Sequence, residues 1–256
     1  MTRTKEKLNR LYLVLSLIFL ANALLAEFGG VKIFSAGKLL GLDSMDIGGL
    51  IIDYNLSVGV LIWPLVFVLS DLINEYFGRK VVRWISIMTA ILISYSFLIA
   101  FSWTSVPPAD FWLEINGQDA QGRPFDINYA YNTIFRQGMG IIAGSLLAFL
   151  VSQLIDAYTF HWLRRLTGHR MLWLRATGST VVSQLIDSFV ILTVAFYVFG
   201  NWSFGQVMRV GVVQYGYKVL FAIALTPLIY LAHHYIDKYL GKEEAGRIQQ
   251  EAETGS

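Results

Sequence analysis

Apolar residues run along this chain in six long stretches separated by polar ones: Leu11–Phe28, Tyr54–Phe77, Val82–Trp103, Gly138–Phe160, Leu174–Phe199 and Val212–His233. About 20 mostly apolar residues carry an α-helix across the hydrocarbon of a bilayer, and each stretch is of that order. Open sheets cannot cross lipid with unpaired edges, and runs this continuous lack the alternation of barrel strands. The pattern predicts an all-α integral membrane protein with six transmembrane helices. The first run has no small-residue cleavage site and is followed by further spans, so it reads as a retained helix, not a signal peptide.

Composition supports that class and narrows the chemistry. Apolar residues fill 55% of 256 positions and charged residues only 15%, where a soluble domain carries about 25% charged. Mean hydropathy is +0.53. An aromatic fraction of 14% suits anchoring at two membrane interfaces. A net charge of +2 without a basic stripe gives no footprint for nucleic acid. The absence of cysteine excludes disulfides, thiolate catalysis and cysteine metal sites. The four histidines lie toward one side of the membrane without metal-ligand spacing, and no phosphate loop, dinucleotide fingerprint or nucleophile elbow occurs. The chain reads as a non-enzyme that uses no cofactor.

Polar side chains nevertheless enter the apolar runs, in nearly repeated words. "SQLID" stands at Ser152–Asp156 and again at Ser183–Asp187, and "SDLIN" at Ser70–Asn74. A charge near the bilayer centre costs at least ~2.5–3.5 kcal/mol on insertion scales, so such groups face a bundle interior or a cavity. They are Asp71, Asn74 and Glu75 in the second run, Gln153 and Asp156 in the fourth, Gln184 and Asp187 in the fifth, and Lys218 in the sixth. In each motif the amide and the carboxylate lie three residues apart, on one helix face. Asp187 falls near mid-helix and is the strongest cavity residue, with Lys218 the expected partner of one of the acids. Asp71 and Asp156 lie nearer the cytoplasmic end, where pairing with Arg79 or Arg164 competes with a cavity role. Isolated amides and the small residues Gly140, Gly144 and Ser145 fit helix-packing contacts as well. Carboxylates and amides in a dry site with few cations suit a neutral, planar ligand rich in N–H donors.

Four segments carry a resemblance that this chemistry could not supply. "SDLINEYFGRK" (Ser70–Lys80), "SQLIDAYTFHWLRRLTG" (Ser152–Gly168), "LWLRATGSTVVSQLIDSFVILTVAFY" (Leu172–Tyr197) and "YGYKVLFAIALTPLIY" (Tyr215–Tyr230) resemble the queuosine-precursor transporter family, also called the vitamin uptake transporter family. The similarity runs from about Leu11 to Asp237. It implies uptake, across the bacterial inner membrane, of 7-cyano-7-deazaguanine and related 7-deazaguanine bases that feed queuosine modification of tRNA. It also implies a six-helix fold similar to the substrate-binding subunits of energy-coupling-factor transporters. Positions matching the family's motifs are Asp71, Glu75, Gln153, Asp156, Ser179, Gln184, Asp187, Tyr215 and Lys218; Asn74 joins them by spacing. One departure is Gly140, where family members often carry Arg; Arg136 lies a turn earlier. The alternatives are a transporter of another vitamin or nucleobase, and a non-transporting membrane scaffold whose polar pairs only bind helix to helix.

The chain reads as one transmembrane domain over 1–237 followed by a polar cytoplasmic tail, 238–256, expected to be disordered. Outward connections are Gly29–Leu50 and Ser102–Gln137. The glycine-bearing face of the fourth run is compatible with a homodimer. Lys and Arg number fourteen at the N-terminus, in the loops after the second and fourth runs and in the tail, against five in the other connections. The positive-inside rule then places both termini in the cytoplasm. In this cysteine-free chain, Asp119→Cys is expected to react with an impermeant thiol reagent on intact cells and Gly168→Cys to be protected; the reverse pattern contradicts the orientation.

Overall fold

A computed structural model of the chain describes residues 2–41, 43, 45–47, 50–52, 54–136, 139–167 and 171–254. Gly138, the expected start of the fourth span, and Gly168, His169 and Arg170 lie outside the described residues. Six helices are long and apolar enough to cross a membrane, as the pattern predicts: α1 (Thr2–Gly29), α3 (Trp63–Phe77, preceded by a 3-10 turn at Val58–Leu61), α4 (Arg79–Ser105), α7 (Met139–Thr167), α8 (Leu172–Leu192) and α9 (Phe204–Leu240). A π-helical turn, Thr193–Val198, extends α8.

The connections hold structure that hydropathy did not announce. After α1 come β1 (Ile33–Ser35), α2 (Ala36–Leu40), β2 (Met45–Ile47), β3 (Leu50–Ile52) and β4 (Asn55–Ser57). Strand β1 pairs antiparallel with β4, Ile33 opposite Ser57, and β2 with β3, Met45 opposite Ile52. The connection after α4 contains α5 (Asp110–Ile115) and α6 (Ile127–Phe135) around a tight turn. In that turn Asp119 accepts from the backbone N–H of Arg123 at 2.9 Å and from its Nε at 2.7 Å. The backbone N–H of Arg123 is the first cause holding the Asp119 carboxyl below its usual range, with the guanidinium and the Gln121 N–H adding to it.

Helix α3 is the centre of the bundle, buried continuously from Val66 to Tyr76. Pro64 sits in its first turn, where a missing N–H costs nothing. Gly78, at φ 82°, ends it and turns the chain directly into α4, a conformation a side chain would strain. Small residues bring α7 and α8 together: Ser152, Ser183 and Ser188 are fully buried. A Cβ added at Gly144 would stand 3.1 Å from the Ala195 nitrogen, so this face of α7 is engaged within the chain. Helix α9 begins with a reciprocal cap in which Ser203 accepts from Gln206 N–H while its own N–H donates to the Gln206 side chain.

The polar tail departs from expectation. It forms a helix, α10 (Lys242–Thr254), docked on the bundle end that holds the termini. Ala245, Ile248 and Gln249 are buried there, at spacings that share one helix face. Arg164 fixes it, because one guanidinium nitrogen donates to the Gln249 carbonyl and the other to the Glu75 carbonyl at 3.0 Å. Glu75 in turn binds Arg175 Nη2 at 3.1 Å and lies 3.7 Å from Arg164. Both arginines are 1% exposed, so a charge of this network has no water to fall back on. Breaking a buried pair by removing one partner costs about 3–5 kcal/mol. Arg164→Met is expected to lower stability by about 3 kcal/mol and to open α10 to trypsin at Arg247. Unchanged melting and unchanged protease resistance would show that α10 docks without Arg164.

Candidate functional site

A cavity lies where α3, α8 and α9 meet. Helix α3 lines it with Trp63, Pro64, Phe67, Val68 and Asp71, and the 3-10 turn adds Val60. Helix α8 adds Ala176, Thr177, Thr180 and Gln184; α9 adds Lys218, Phe221, Ala222, Leu225 and Ile229. These positions recur at three, four and seven residues on each helix, which is why three helical faces converge on one space. Its empty volume is about 490 Å³ counted out to the open mouth. Its enclosed part has room for little more than a water or two. Most of the lining is apolar and aromatic, so the few polar groups stand out.

Of the ten residues singled out in the sequence, Asp71, Gln184 and Lys218 line this cavity. Asp71 is 2% exposed, and its Oδ1 receives a long contact, 3.5 Å, from the Ser179 hydroxyl. Behind it stands Asp156, fully buried, which accepts from Ser183 Oγ at 3.0 Å. The two carboxyls hydrogen-bond to each other, and neither Oδ2 has a donor from any other described residue. The Gln184 Nε2 has no hydrogen-bond partner among the described residues, nor has either amide atom of Gln153, which is buried one turn before Asp156. Unpartnered buried polar atoms are rare in folded proteins and cost about 1–3 kcal/mol each. Here they cluster beside one cavity.

The remaining candidates have partners within the protein. Asp187 forms an ion pair with Lys218, as a partner for one of the acids was expected, and receives a 3.4 Å contact from Ser152 Oγ. Asn74 donates to the Ala157 carbonyl at 3.1 Å and so ties α3 to α7. Glu75 holds the two buried arginines. Tyr215 is half-buried on α9 and is not among the cavity's lining residues. Arg164 therefore answers Glu75 and not Asp156, while Arg79 lies over the Tyr158 ring at 4.5 Å. Arg136 lies over Phe101 at 4.4 Å, away from the cavity lining. His233 contacts Asp237 at 3.0 Å, and the Tyr76 hydroxyl donates to Asp237 at 2.7 Å.

Two features were not singled out in the sequence. Thr177 and Thr180 line the cavity two turns and one turn before Gln184, and their spacing on that helix was the available signal. Glu27, near the end of α1, is 5% exposed, engages Ser145 of α7 and lies near Asp187. It sits at the edge of the first apolar run, where a carboxylate reads as the start of a loop.

Residues 57–232 match the family model described as "Putative vitamin uptake transporter". The chain is 33% identical over 141 residues to a Bacillus subtilis protein named "Probable queuosine precursor transporter", a match covering 55% of this chain and 56% of that one. It is 27% identical over 183 residues to a Haemophilus influenzae protein of the same name, covering 68% and 66%. It is 25% identical over 210 residues to the Escherichia coli "Queuosine precursor transporter", covering 78% and 83%. The chain thus spans little more than half the length of the first of these relatives. No solved structure matches it. The family match takes in α3, α4, α7, α8 and nearly all the cavity-facing part of α9, and on that ground the chain belongs to the vitamin uptake transporter family.

Proposed function

We propose that this chain carries 7-deazaguanine precursors of queuosine, chiefly 7-cyano-7-deazaguanine, across the bacterial inner membrane toward the tRNA modification pathway. The names of the three relatives support the substrate class. The distribution of Lys and Arg supports cytoplasmic termini.

The observation that carries the reading is the pair of polar groups in the cavity wall: Gln184 Nε2, without a partner among the described residues, and the Asp71 carboxyl, bonded only to Asp156 behind it and to Ser179 at 3.5 Å. A guanine-like edge presents a ring N–H and an exocyclic NH₂ side by side, which a carboxylate accepts together; its carbonyl accepts from an amide N–H. Asp71 takes the donors, Gln184 donates to the acceptor, and Trp63, Phe67 and Phe221 flank the flat ring. Lys218, neutralised by Asp187, closes the end of the site. Ser179, Asp156 and Gln153 form the polar layer behind Asp71, Tyr215 stands one turn before Lys218, and Asn74 and Glu75 hold α3 in register.

The test is binding to purified, folded protein. In Asp71→Asn an NH₂ replaces one acceptor, so donor meets donor. Losing a hydrogen bond to a charged group is worth ~1.5–3 kcal/mol, and affinity for 7-cyano-7-deazaguanine is expected to fall roughly ten- to a hundredfold. Adenine, whose ring nitrogen at that edge accepts instead of donating, should compete poorly, while guanine competes well. Unchanged affinity in Asp71→Asn, or equal competition by adenine, would return the site to another nucleobase or vitamin.

A further inference from the structure

The enclosed part of the cavity is too small to hold a bicyclic base, so at least one wall has to move. We propose that α9 is that wall, hinged at Pro227 and closed by the Lys218–Asp187 ion pair. This rests on the reading of the cavity as the transport site.

The other walls are fixed. Helix α3 is enclosed on all sides, and α8 is seated on α7 through the buried serines. Helix α9 is peripheral: only 11% of its most apolar window is buried, against 61% for the span that ends α3. Its outer face, with Val212, Leu220 and Ile223 exposed, meets no other part of the protein that movement would have to break. The helix is also unevenly tethered. Beyond Pro227, the Tyr230 hydroxyl accepts from Trp173 N–H at 3.2 Å, Asp237 accepts from the Tyr76 hydroxyl at 2.7 Å, and the Tyr239 carbonyl accepts from Lys7 at 2.8 Å. Before Pro227, Val207 is buried and Gly211 lies against Phe189 of α8 near the helix start, but no residue from Val212 to Thr226 is buried, and the ion pair between Lys218 and Asp187 is the only salt bridge this half of α9 makes among the described residues. Thr226, hydrogen-bonded to Thr177 at 2.8 Å, marks the boundary.

Pro227 interrupts the ladder at that boundary. It has no N–H for the carbonyl of Ile223, and its ring crowds that turn, which is where helices bend. Thr226 Oγ1 bonds the Ala222 carbonyl at 3.1 Å, supplying a local polar contact where the backbone ladder is broken. Lys218, Phe221, Ala222 and Leu225, which face the cavity, all lie on the loosely tethered side. Swinging that half outward widens the cavity and separates Lys218 from Asp187. The pair then acts as a latch whose strength sets how often the cavity opens.

The chain has no cysteine, so Thr180→Cys places a single thiol in the cavity wall. Its rate of modification by a small methanethiosulfonate reagent reports opening and needs no ligand. Adding Pro227→Ala, which restores the helical bond, is expected to slow labelling about tenfold. Adding Asp187→Asn, which weakens the latch, is expected to speed it about tenfold. Simple loosening of the fold would speed both, so that result overturns the hinge, as do equal rates in all three proteins. Lys218→Met repeats the latch arm if Asp187→Asn does not fold. Because labelling is independent of the base, failure of the substrate reading shows separately, as absent binding with intact gating.

Discussion

A carboxylate taken out of water must be met by a cation, by hydrogen-bond donors or by a ligand, and this bundle is arranged around that requirement. Glu75 shows the fully met case. Two guanidinium groups close on it, and one of them continues to the carbonyls of Glu75 and Gln249. That single constraint joins α3, α7, α8 and α10 at one end of the molecule. It explains why two arginines are buried and why a polar tail becomes a docked helix. A buried pair is weak as net stability but strong as a fixer of geometry, since a misplaced partner leaves a charge alone.

Elsewhere the same requirement is met less completely. Asp187 has Lys218 and Ser152, Asp156 has Ser183, and Asp71 has Asp156 and a long contact to Ser179. Near-copies of one motif thus find different partners, according to what the neighbouring helix presents. The walls around Asp71 are largely apolar and aromatic, so a hydrogen bond formed there counts for more than it would in water.

Six helices were legible in the sequence because a membrane crossing is dictated by length and hydropathy together, and lipid tolerates few alternatives. The polar positions were legible for the same reason. What they bond to was not. Arg164 and Arg175 belong to the positive charge of one membrane side, yet they turn inward because Glu75 is there, and only the packing of three helices reveals it. Helix α10 carries its apolar face on Ala245, Ile248 and little else, too thin a stripe to register against its charged remainder. The strands β1 to β4 are three residues each and fall below any periodicity. Of the repeated motifs, the sequence ranked Asp187 first by depth and expected Lys218 to partner one of the acids; the structure pairs those two and brings Asp71 to the cavity wall.

The most direct measurement is a binding cycle that changes protein and ligand together. Affinities of the native chain and of Asp71→Asn are compared for 7-cyano-7-deazaguanine and for the analogue lacking its exocyclic amino group. If Asp71 accepts that amino group, deleting the group weakens binding to the native chain by about tenfold or more and has little effect on Asp71→Asn, a clear departure from additivity. Equal losses in both proteins would mean that Asp71 does not touch that edge of the ligand, and would contradict the assignment of the cavity.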